Sequence, residues 1–297
     1  IAVCGYHGWH DWYLSANLKS KKNLNEHHLK VLSVSGVPKK LQNTVFPFKY
    51  NDIQDFYKVC SRNNIGIVKM EVHRNFLPKN KFLIRIRNYC KKNNIILIFD
   101  ECTSGFRETF GGIHLKYKVY PDICILGKAL GNGYPITAIM GSKKIMQAAQ
   151  STFISSTFWT ERIGSSAAIK TIEVMEREES WKTITKTGLE IKDQWKKLAE
   201  RYEIKISLSG LSALPCFNII SKNQLAYKTL ITQEMLTKGY LAGNSVYVCT
   251  EHSLEILNGY FEALDHIFKL IKECEEGRDI KTLLKGKVCR AGFKRLI

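Results

Sequence analysis

The sequence of 297 residues contains no run of about 20 apolar residues, the length that a helix needs to cross a bilayer. Its first residues also lack the basic region and the apolar stretch that are typical of a secretion signal. These two absences predict a soluble, cytoplasmic protein that has no membrane partner. We also find no internal repeat, low-complexity block or proline-rich linker.

The motifs of several common metal and nucleotide sites are missing as well. The nine cysteines form no Cys-x-x-Cys pair, and their odd number and scattered positions predict reduced, packed thiols. His7 and His10 lie close together, but no third ligand follows at a zinc-like spacing, so we expect no metal site. No Gly-x-x-x-x-Gly-Lys-Ser/Thr motif is present, which excludes the phosphate loop of nucleotide hydrolases.

Acidic residues are few: 27 Asp and Glu stand against 45 Lys and Arg, which gives a formal net charge of +18 at pH 7. Such a charge can indicate a nucleic-acid-binding protein, because Lys and Arg displace counterions from phosphates. The lysines are spread along the chain, however, and often stand beside asparagines, a pattern typical of solvated faces. We therefore expect no nucleic-acid partner and keep a non-enzymatic, basic nucleic-acid-binding protein as the alternative of another class.

Short apolar runs alternate with longer amphipathic segments through the first half of the chain. This pattern is typical of a mainly parallel sheet flanked by helices, an α/β fold. The predicted strands are Ile1–Cys4, Val45–Phe48, Ile65–Met70, Ile95–Phe99, Ile123–Leu126 and Thr137–Met140. The helical spacing of apolar residues predicts helices over Asp52–Arg62 and Lys81–Lys92.

The second half of the sequence has a different predicted secondary structure, with longer helices and only two short strands. The predicted helices are Arg162–Arg177, Trp181–Tyr202, Leu225–Lys238 and Ile256–Glu275, and the predicted strands are Lys205–Leu208 and Phe217–Ile220. We therefore predict a large domain over residues 1–180 and a smaller α+β domain over residues 181–297.

Two predicted strands lead directly to residues with catalytic potential. Ligands of open α/β sheets bind beyond the carboxyl ends of the strands. Ile95–Phe99 leads to Asp100, and Ile123–Leu126 leads to Lys128 and a glycine-rich turn. Taken singly, Asp100 is also compatible with a turn or a helix cap, and Lys128 with a solvated surface lysine.

Together, Asp100 and Lys128 fit one chemistry. A lysine amine can form a Schiff base with an aldehyde cofactor, and an apolar setting keeps that amine nucleophilic. An aspartate on a neighbouring strand would keep a pyridine nitrogen protonated, which makes the ring an electron sink. The pair predicts a pyridoxal-phosphate (PLP) site in which Lys128 also moves the proton.

The sequence around both residues resembles that of the class III aminotransferases. Residues 100–107, Asp-Glu-Cys-Thr-Ser-Gly-Phe-Arg, are similar to the family's Asp-Glu-Val-x-Thr/Ser-Gly-Phe-Arg segment. Residues 121–141 are similar to its lysine segment, and the spacing of 28 residues between Asp100 and Lys128 is the same. Residues 4–8 resemble its Tyr-His-Gly motif, and residues 292–296 resemble the C-terminus of enzymes related to glutamate-1-semialdehyde aminomutase.

This resemblance implies a PLP-dependent transaminase of fold type I that acts as a homodimer on an amino donor and a carbonyl acceptor. It implies that Lys128 carries the cofactor, that Asp100 holds its ring nitrogen and that Tyr6 stacks on the ring. Cys102 would lie under the ring, where the family has valine, and Thr157 would reach the phosphate of the neighbouring subunit's cofactor. Taken alone, Tyr6 also fits a core aromatic, and Thr157 also fits a turn residue or a helix cap.

Several departures from the family concern the substrate. Trp9 stands where aminomutases commonly have histidine, Glu71-Val72 stands where the family has Glu-Pro, and Asn75 matches the family's asparagine only with a shift of one residue. Residues 159–162 differ from those of aminomutases and are closer to aminotransferases associated with surface-polysaccharide synthesis. The sequence leaves open a transaminase acting on a small carbonyl compound such as a sugar, and a glutamate-1-semialdehyde 2,1-aminomutase.

The sequence begins at Ile1, inside a predicted strand and without a methionine. In the family, a Gly-Thr/Ser-Glu-Ala segment lies upstream of the Tyr-His-Gly strand, and a helix N-terminus there binds the cofactor phosphate. We therefore expect an N-terminally truncated fragment without its main phosphate-binding segment.

Overall fold

The computed structural model describes residues 1–27, 32–73, 75–155, 157–158 and 160–291. These residues form two compact units, 1–177 and 178–291. Residues 292–296 and Trp159, which were compared with the family in the sequence, lie outside the described residues. Within the described part of the chain, no helix is both long and apolar enough to span a membrane. The assignment of 1–180 and 181–297 as functional domains stays a prediction.

A six-stranded sheet forms the centre of the first unit, in the strand order β2-β1-β3-β4-β5-β6. The first five strands of this order run parallel, and β6 is antiparallel to β5. The strands are β1 (Ala2–Cys4), β2 (Phe46–Pro47), β3 (Ile67–Met70), β4 (Ile96–Glu101), β5 (Ile123–Leu126) and β6 (Ala138–Gly141). All six were predicted, and the predicted α/β sheet is confirmed.

Helices of the first unit connect and cover these strands. They are α1 (Asp11–Leu14), α2 (Ile53–Arg62), α3 (Phe82–Lys92), α4 (His114–Tyr117), α5 (Lys143–Met146) and α6 (Ile163–Glu178). The helix α2 begins after Asp52, whose carboxylate accepts the Asp55 N–H at 2.9 Å and so caps the helix. Phe56 of α2 and Ile86 of α3 are fully buried, because each lies on the apolar face of its helix.

Burial alternates along β3 and β4, since successive side chains of a strand point to opposite faces. Val68, Met70, Leu97 and Phe99 are fully buried on one face. The opposite face carries Ile67 and Lys69 from β3 and Ile96, Ile98 and Asp100 from β4, all of which are half-buried. Lys69 is in register with Ile98, so Lys69 and Asp100 leave the same face of neighbouring strands, close to each other.

The second unit is built around its own apolar core. It contains α7 (Ser180–Arg201), β7 (Ile206–Ser209), β8 (Cys216–Ile219), α8 (Gln224–Thr237) and α9 (Leu254–Glu275), and β7 pairs antiparallel with β8. Trp195 and Phe217 are fully buried with ring centroids 4.7 Å apart, and the Trp195 indole N–H donates to the Tyr260 hydroxyl at 3.1 Å. The predicted helices and strands of this half are all present.

Candidate active site

The carboxyl ends of β1, β3, β4 and β5 meet at one edge of the sheet, because these strands are parallel neighbours. Ligands of open α/β sheets bind at this edge. The chain places Tyr6 and His7 after β1, Glu71 after β3, Asp100 at the end of β4 and Lys128 after β5. Polar and ionisable side chains from four strands therefore gather where a ligand would bind.

Asp100 is contacted by three groups of the chain. Its Oδ2 lies 3.0 Å from His7 Nδ1 and 3.2 Å from Lys69 Nζ, and its Oδ1 accepts the Cys102 backbone N–H at 3.3 Å. Burial by itself raises the pKa of the Asp100 carboxyl, but the hydrogen bond from His7 and the charge of Lys69 outweigh burial and hold that pKa below its ordinary value. Asp100 is therefore a fixed carboxylate.

The ionisation of Asp100 determines the tautomer of His7. A carboxylate only accepts hydrogen bonds, so the Nδ1 of His7 carries the hydrogen that it donates to Asp100. The His7 side chain is fully buried, and its Nε2 has no hydrogen-bond partner among the described residues. Buried polar atoms without a hydrogen-bond partner are rare in folded proteins, so this nitrogen is distinctive.

Hydrogen bonds to His27 and Glu71 hold the turn that carries Tyr6 and His7. Gly5 has φ +108°, and a Cβ at this position would lie 2.5 Å from Glu71 Oε2, so only glycine fits. The backbone N–H of Gly5 donates to His27 Nδ1 at 2.9 Å, and that of Tyr6 donates to Glu71 Oε2 at 3.0 Å. Burial lowers the pKa of His27 to about 4, so His27 is a neutral acceptor at pH 7.

Lys128 begins a short 3-10 turn directly after β5, with a left-handed φ of 47°. Its amine donates to the hydroxyl of Thr103 at 2.7 Å, which links the end of β5 to the turn after β4. A Cβ at Gly127 would lie 3.2 Å from Thr137 Cγ2 and 3.3 Å from Cys102 Sγ, so this position leaves little room for any side chain. Lys128 itself is exposed. The apolar setting expected around its amine stays a prediction.

Cys102 lies between Asp100 and Lys128. It is half-buried, and burial, aided by the negative charge of Asp100, raises the pKa of its thiol to about 11. The charge of Lys128 acts on the same thiol in the opposite direction. Cys102 is consequently a neutral thiol at pH 7 rather than a nucleophile.

Residues 75–273 match the family Aminotransferase class-III. The chain belongs to the class III aminotransferases. It is 30% identical over 290 residues to the 3-aminobutyryl-CoA aminotransferase of Cloacimonas acidaminovorans, covering 92% of this chain and 65% of that protein. It is 31% identical over 283 residues to the glutamate-1-semialdehyde 2,1-aminomutase of Sulfurisphaera tokodaii, covering 88% of this chain and 66% of that protein. The chain thus spans about two thirds of the length of these curated relatives.

Solved structures share the fold of this class III aminotransferase chain. It superposes on the FumI protein of Sphingopyxis sp. MTA144 with a TM-score of 0.80 at 19% identity, covering 95% of this chain and 68% of that chain. The predicted fold type I is confirmed. The predicted phosphate-binding segment upstream of Ile1 stays a prediction.

In the class III aminotransferase chain, four of the five predicted site residues lie at this edge of the sheet. Asp100, Cys102 and Lys128 lie at adjoining strand ends, as described above. Tyr6 is half-buried, with its ring edge-on to Trp9 at 5.3 Å and to Tyr13 at 6.1 Å. Its stacking on a cofactor ring stays a prediction.

Thr157 stands apart from these residues, in an exposed segment beside Ser156 and Trp159, which lie outside the described residues. Its role toward a neighbouring subunit stays a prediction. Asn75 is exposed and lines a cleft of about 740 Å³ together with Gly5, His27 and Glu71.

Sequence reasoning did not identify the direct contacts of Asp100 and Lys128. The sequence placed His7 in the Tyr-His-Gly motif and excluded it as a metal ligand. It predicted no role for Lys69 or Thr103. Two features of the sequence could have indicated these contacts. His7 follows closely after a predicted strand, and Lys69 lies inside an apolar strand.

Glu101, the residue after Asp100, points to the buried face and has a structural role. Its carboxylate accepts the backbone N–H groups of Ile113 and His114 and lies 2.6 Å from His114 Nδ1. Glu101, His114 and Cys124 are close enough to hold a metal ion, but the carboxylate oxygens already accept these hydrogen bonds. Glu101 therefore fixes the start of α4.

Proposed function

We propose that this chain carries the catalytic core of a PLP-dependent transaminase that moves an amino group from a donor to a small carbonyl acceptor. The proposal rests on one observation. Asp100 is held ionised at the end of β4 by His7 and Lys69, while the amine of Lys128 stands at the end of the neighbouring strand. A protonated pyridine ring needs such a carboxylate, and an aldehyde needs such an amine.

The residues present fit PLP by their chemistry. Ionised Asp100 can accept a hydrogen bond from a ring N–H, and exposed Lys128 is accessible to an aldehyde. Gly127, directly before Lys128, places no side chain beside Cys102. PLP, when bound, supplies an electron sink that stabilises negative charge at the substrate carbon.

Each residue would then have a defined task. Lys128 would hold the cofactor through its amine and carry the proton at Nζ, while the Thr103 hydroxyl orients that amine. Asp100 would keep the proton on the ring nitrogen. Tyr6 would stack on one face of the ring, and Cys102, as a neutral thiol, would fill space under the other face.

The acceptor that we propose is a small carbonyl compound, with a keto- or aldehydo-sugar of surface-polysaccharide synthesis as the first candidate. The support is residues 159–162, Trp-Thr-Glu-Arg, which differ from those of aminomutases. A second candidate is glutamate-1-semialdehyde 2,1-aminomutase activity, which is favoured by the identity to the Sulfurisphaera tokodaii protein.

A nucleic-acid-binding role is the alternative of another class. Against it stand ion pairs along the helices, where exposed lysines are neutralised by acidic neighbours. Examples are Lys170–Glu173 at 3.0 Å, Lys182–Glu179 at 2.5 Å and Lys197–Asp193 at 2.7 Å. Part of the positive charge is thus balanced locally on solvated helix faces.

We further propose that the chain works as a homodimer in which Thr157 reaches the partner's cofactor. The support is the exposure of large apolar side chains beside it, since Phe153 is 96% exposed and Phe158 is 76% exposed. Exposed apolar patches of this kind mark interaction surfaces.

All nine cysteines are free, and Cys4, Cys90, Cys124 and Cys274 are buried. Free thiols in these numbers are typical of a reducing compartment. This supports the cytoplasmic location that we propose.

The proposed function is tested by saturating the protein with PLP and adding candidate amino donors one at a time. A transaminase converts the cofactor absorbance to that of the amine form with a donor alone, and a carbonyl acceptor reverses the change. An aminomutase isomerises its substrate without a separate acceptor. Strongly salt-dependent binding to any DNA, with no PLP bound, would contradict the enzyme assignment.

A further inference from the structure

Lys69 places a charge inside a central strand of the sheet. Its neighbours in β3 are Ile67, Val68 and Met70, and a lysine amid such residues is costly unless its ammonium has a partner. The Lys69 side chain is 15% exposed, and its Nζ lies 3.2 Å from Asp100 Oδ2. The partner is therefore the carboxylate that we assign to the ring nitrogen.

A second contact fixes the ammonium from the other side. The Nζ of Lys69 lies 5.2 Å from the centroid of the Trp12 ring, within the range of a cation–π interaction. The ammonium thus contacts both an aromatic ring and a carboxylate.

Asp100 has limited capacity for further hydrogen bonds. Its Oδ2 is shared by His7 Nδ1 and Lys69 Nζ, and its Oδ1 accepts the Cys102 N–H. A carboxylate offers about four lone-pair sites, so a ring N–H would compete for what remains. Two donors of positive or partly positive charge on one oxygen also reduce its attraction for another proton.

We infer that Lys69 is a positioning residue that sets how strongly Asp100 holds the proton of the cofactor's ring nitrogen. Its ammonium, which also contacts Trp12, holds the carboxylate in place, and its charge weakens the hold on that proton. The inference rests on the proposed function. It adds a residue of this chain that tunes the electron sink without touching the substrate.

The ionisable groups that face Asp100 come from each adjoining element. His7 follows β1, Lys69 belongs to β3, Cys102 follows Asp100 itself, and Lys128 follows β5; His27 acts on His7 from behind. Of these, Lys69 is the fixed cation in direct contact with the carboxylate. Its replacement therefore removes one positive charge and leaves the other groups in place.

The test uses PLP labelled with ¹⁵N at the ring nitrogen, whose NMR signal reports protonation of that atom. The signal is followed against pH in the wild type, in Lys69→Met, which keeps the length of the side chain without its charge, and in Lys69→Arg, which keeps the charge. Lys170→Met, on an exposed helix face, is the matched control. Lys69→Gln is a second neutral variant in case the Met variant fails to fold.

We expect the ring nitrogen of the neutral variants to stay protonated to higher pH, with a proton affinity raised by about tenfold or more. The Arg variant and the Lys170 control are expected to follow the wild-type curve. An unchanged nitrogen signal in the neutral variants, with a lowered melting temperature, would mean that Lys69 only packs and would overturn the inference. Failure of the wild type to bind labelled PLP at all would overturn the proposed function and this inference with it.

Discussion

The ends of β4 and β5 differ in the burial and the contacts of their functional side chains. At the end of β4, Asp100 is held by His7, Lys69 and the backbone of Cys102, with side chains almost fully removed from water. At the end of β5, Lys128 is exposed and rests on the hydroxyl of Thr103. The carboxylate is thus preorganised, whereas the amine is accessible. A site that must keep a charge fixed and yet admit an aldehyde needs both properties.

This difference also predicts what substitutions do. Residues at the β4 end act through a buried network, so their loss changes both the electrostatics of the site and the stability of the fold. Lys128 at the β5 end is exposed, so its loss changes the chemistry while the fold persists. The following predictions test that contrast.

The largest effect on rate at the β4 end is expected from Asp100→Asn. The variant keeps the shape of the side chain but removes the charge that holds a ring proton, so we expect turnover to fall by about a hundredfold or more while PLP still binds. Asp122→Asn is the matched control, because Asp122 pairs with Arg87 at 2.8 Å at the opposite edge of the sheet. The control is expected to lose stability with turnover within a few-fold of wild type. A rate for Asp100→Asn equal to that of the control would refute the role of Asp100.

His7 is expected to follow, because it donates to the same carboxylate. A hydrogen bond to a charged group contributes about 1.5–3 kcal/mol, so His7→Leu should lower turnover roughly ten- to a hundredfold. His7→Asn keeps a donor near the position of Nδ1 and should retain most of the activity. The turnover of both variants is measured by steady-state kinetics. Equal losses of turnover in the two would contradict a role for the hydrogen bond from His7 to Asp100.

His27 makes the β4 end sensitive to acid. Its pKa is lowered by burial to about 4 in the folded protein, against about 6.5 when unfolded, so the unfolded chain binds the extra proton first. Stability should therefore fall as the pH drops from about 6.5 to about 4, by up to about 3 kcal/mol from this group. His27→Asn retains an acceptor near the position of Nδ1 for the Gly5 N–H and should flatten the curve of melting temperature against pH in this window. A parallel curve for wild type and variant would contradict the assignment.

The smallest effect is expected from Thr103→Val, in the turn after β4, where the side chain contacts Lys128. This change removes the hydroxyl that orients the Lys128 amine, a hydrogen bond typically worth about 0.5–1.5 kcal/mol, so turnover should fall by about two- to tenfold with an unchanged fold. Thr103→Ser keeps the hydroxyl and should restore the rate. Loss of PLP binding in the Val variant would show that Thr103 does more than orient the amine.

Much of the fold follows from the sequence, because apolar periodicity and turn residues are local properties. The strand Ile123–Leu126 was predicted with its observed bounds, and the other strands deviate from the prediction by at most two residues. The order β2-β1-β3-β4 was not predicted, since it depends on how distant segments pair. The neighbours of Asp100 depend on that order.

The site could be predicted only as far as its strand ends. Asp100 and Lys128 are visible because each follows an apolar run, and Cys102 lies two residues beyond Asp100. In the sequence, Lys69 does not differ from the many other lysines of this basic chain. Its position beside Asp100 follows from the register of Lys69 with Ile98. The exposure of Lys128 depends on what covers the turn after β5, which local pattern does not determine.

The account depends most directly on Lys128 as the residue that holds PLP. The decisive measurement is to reduce the PLP-saturated protein with borohydride, digest it and locate the label by mass spectrometry. We expect the label on the peptide that contains Lys128, its complete loss in Lys128→Ala with the circular dichroism spectrum unchanged, and its retention in Lys170→Ala. A label on another lysine, Lys69 included, or a label that persists in Lys128→Ala would contradict the account.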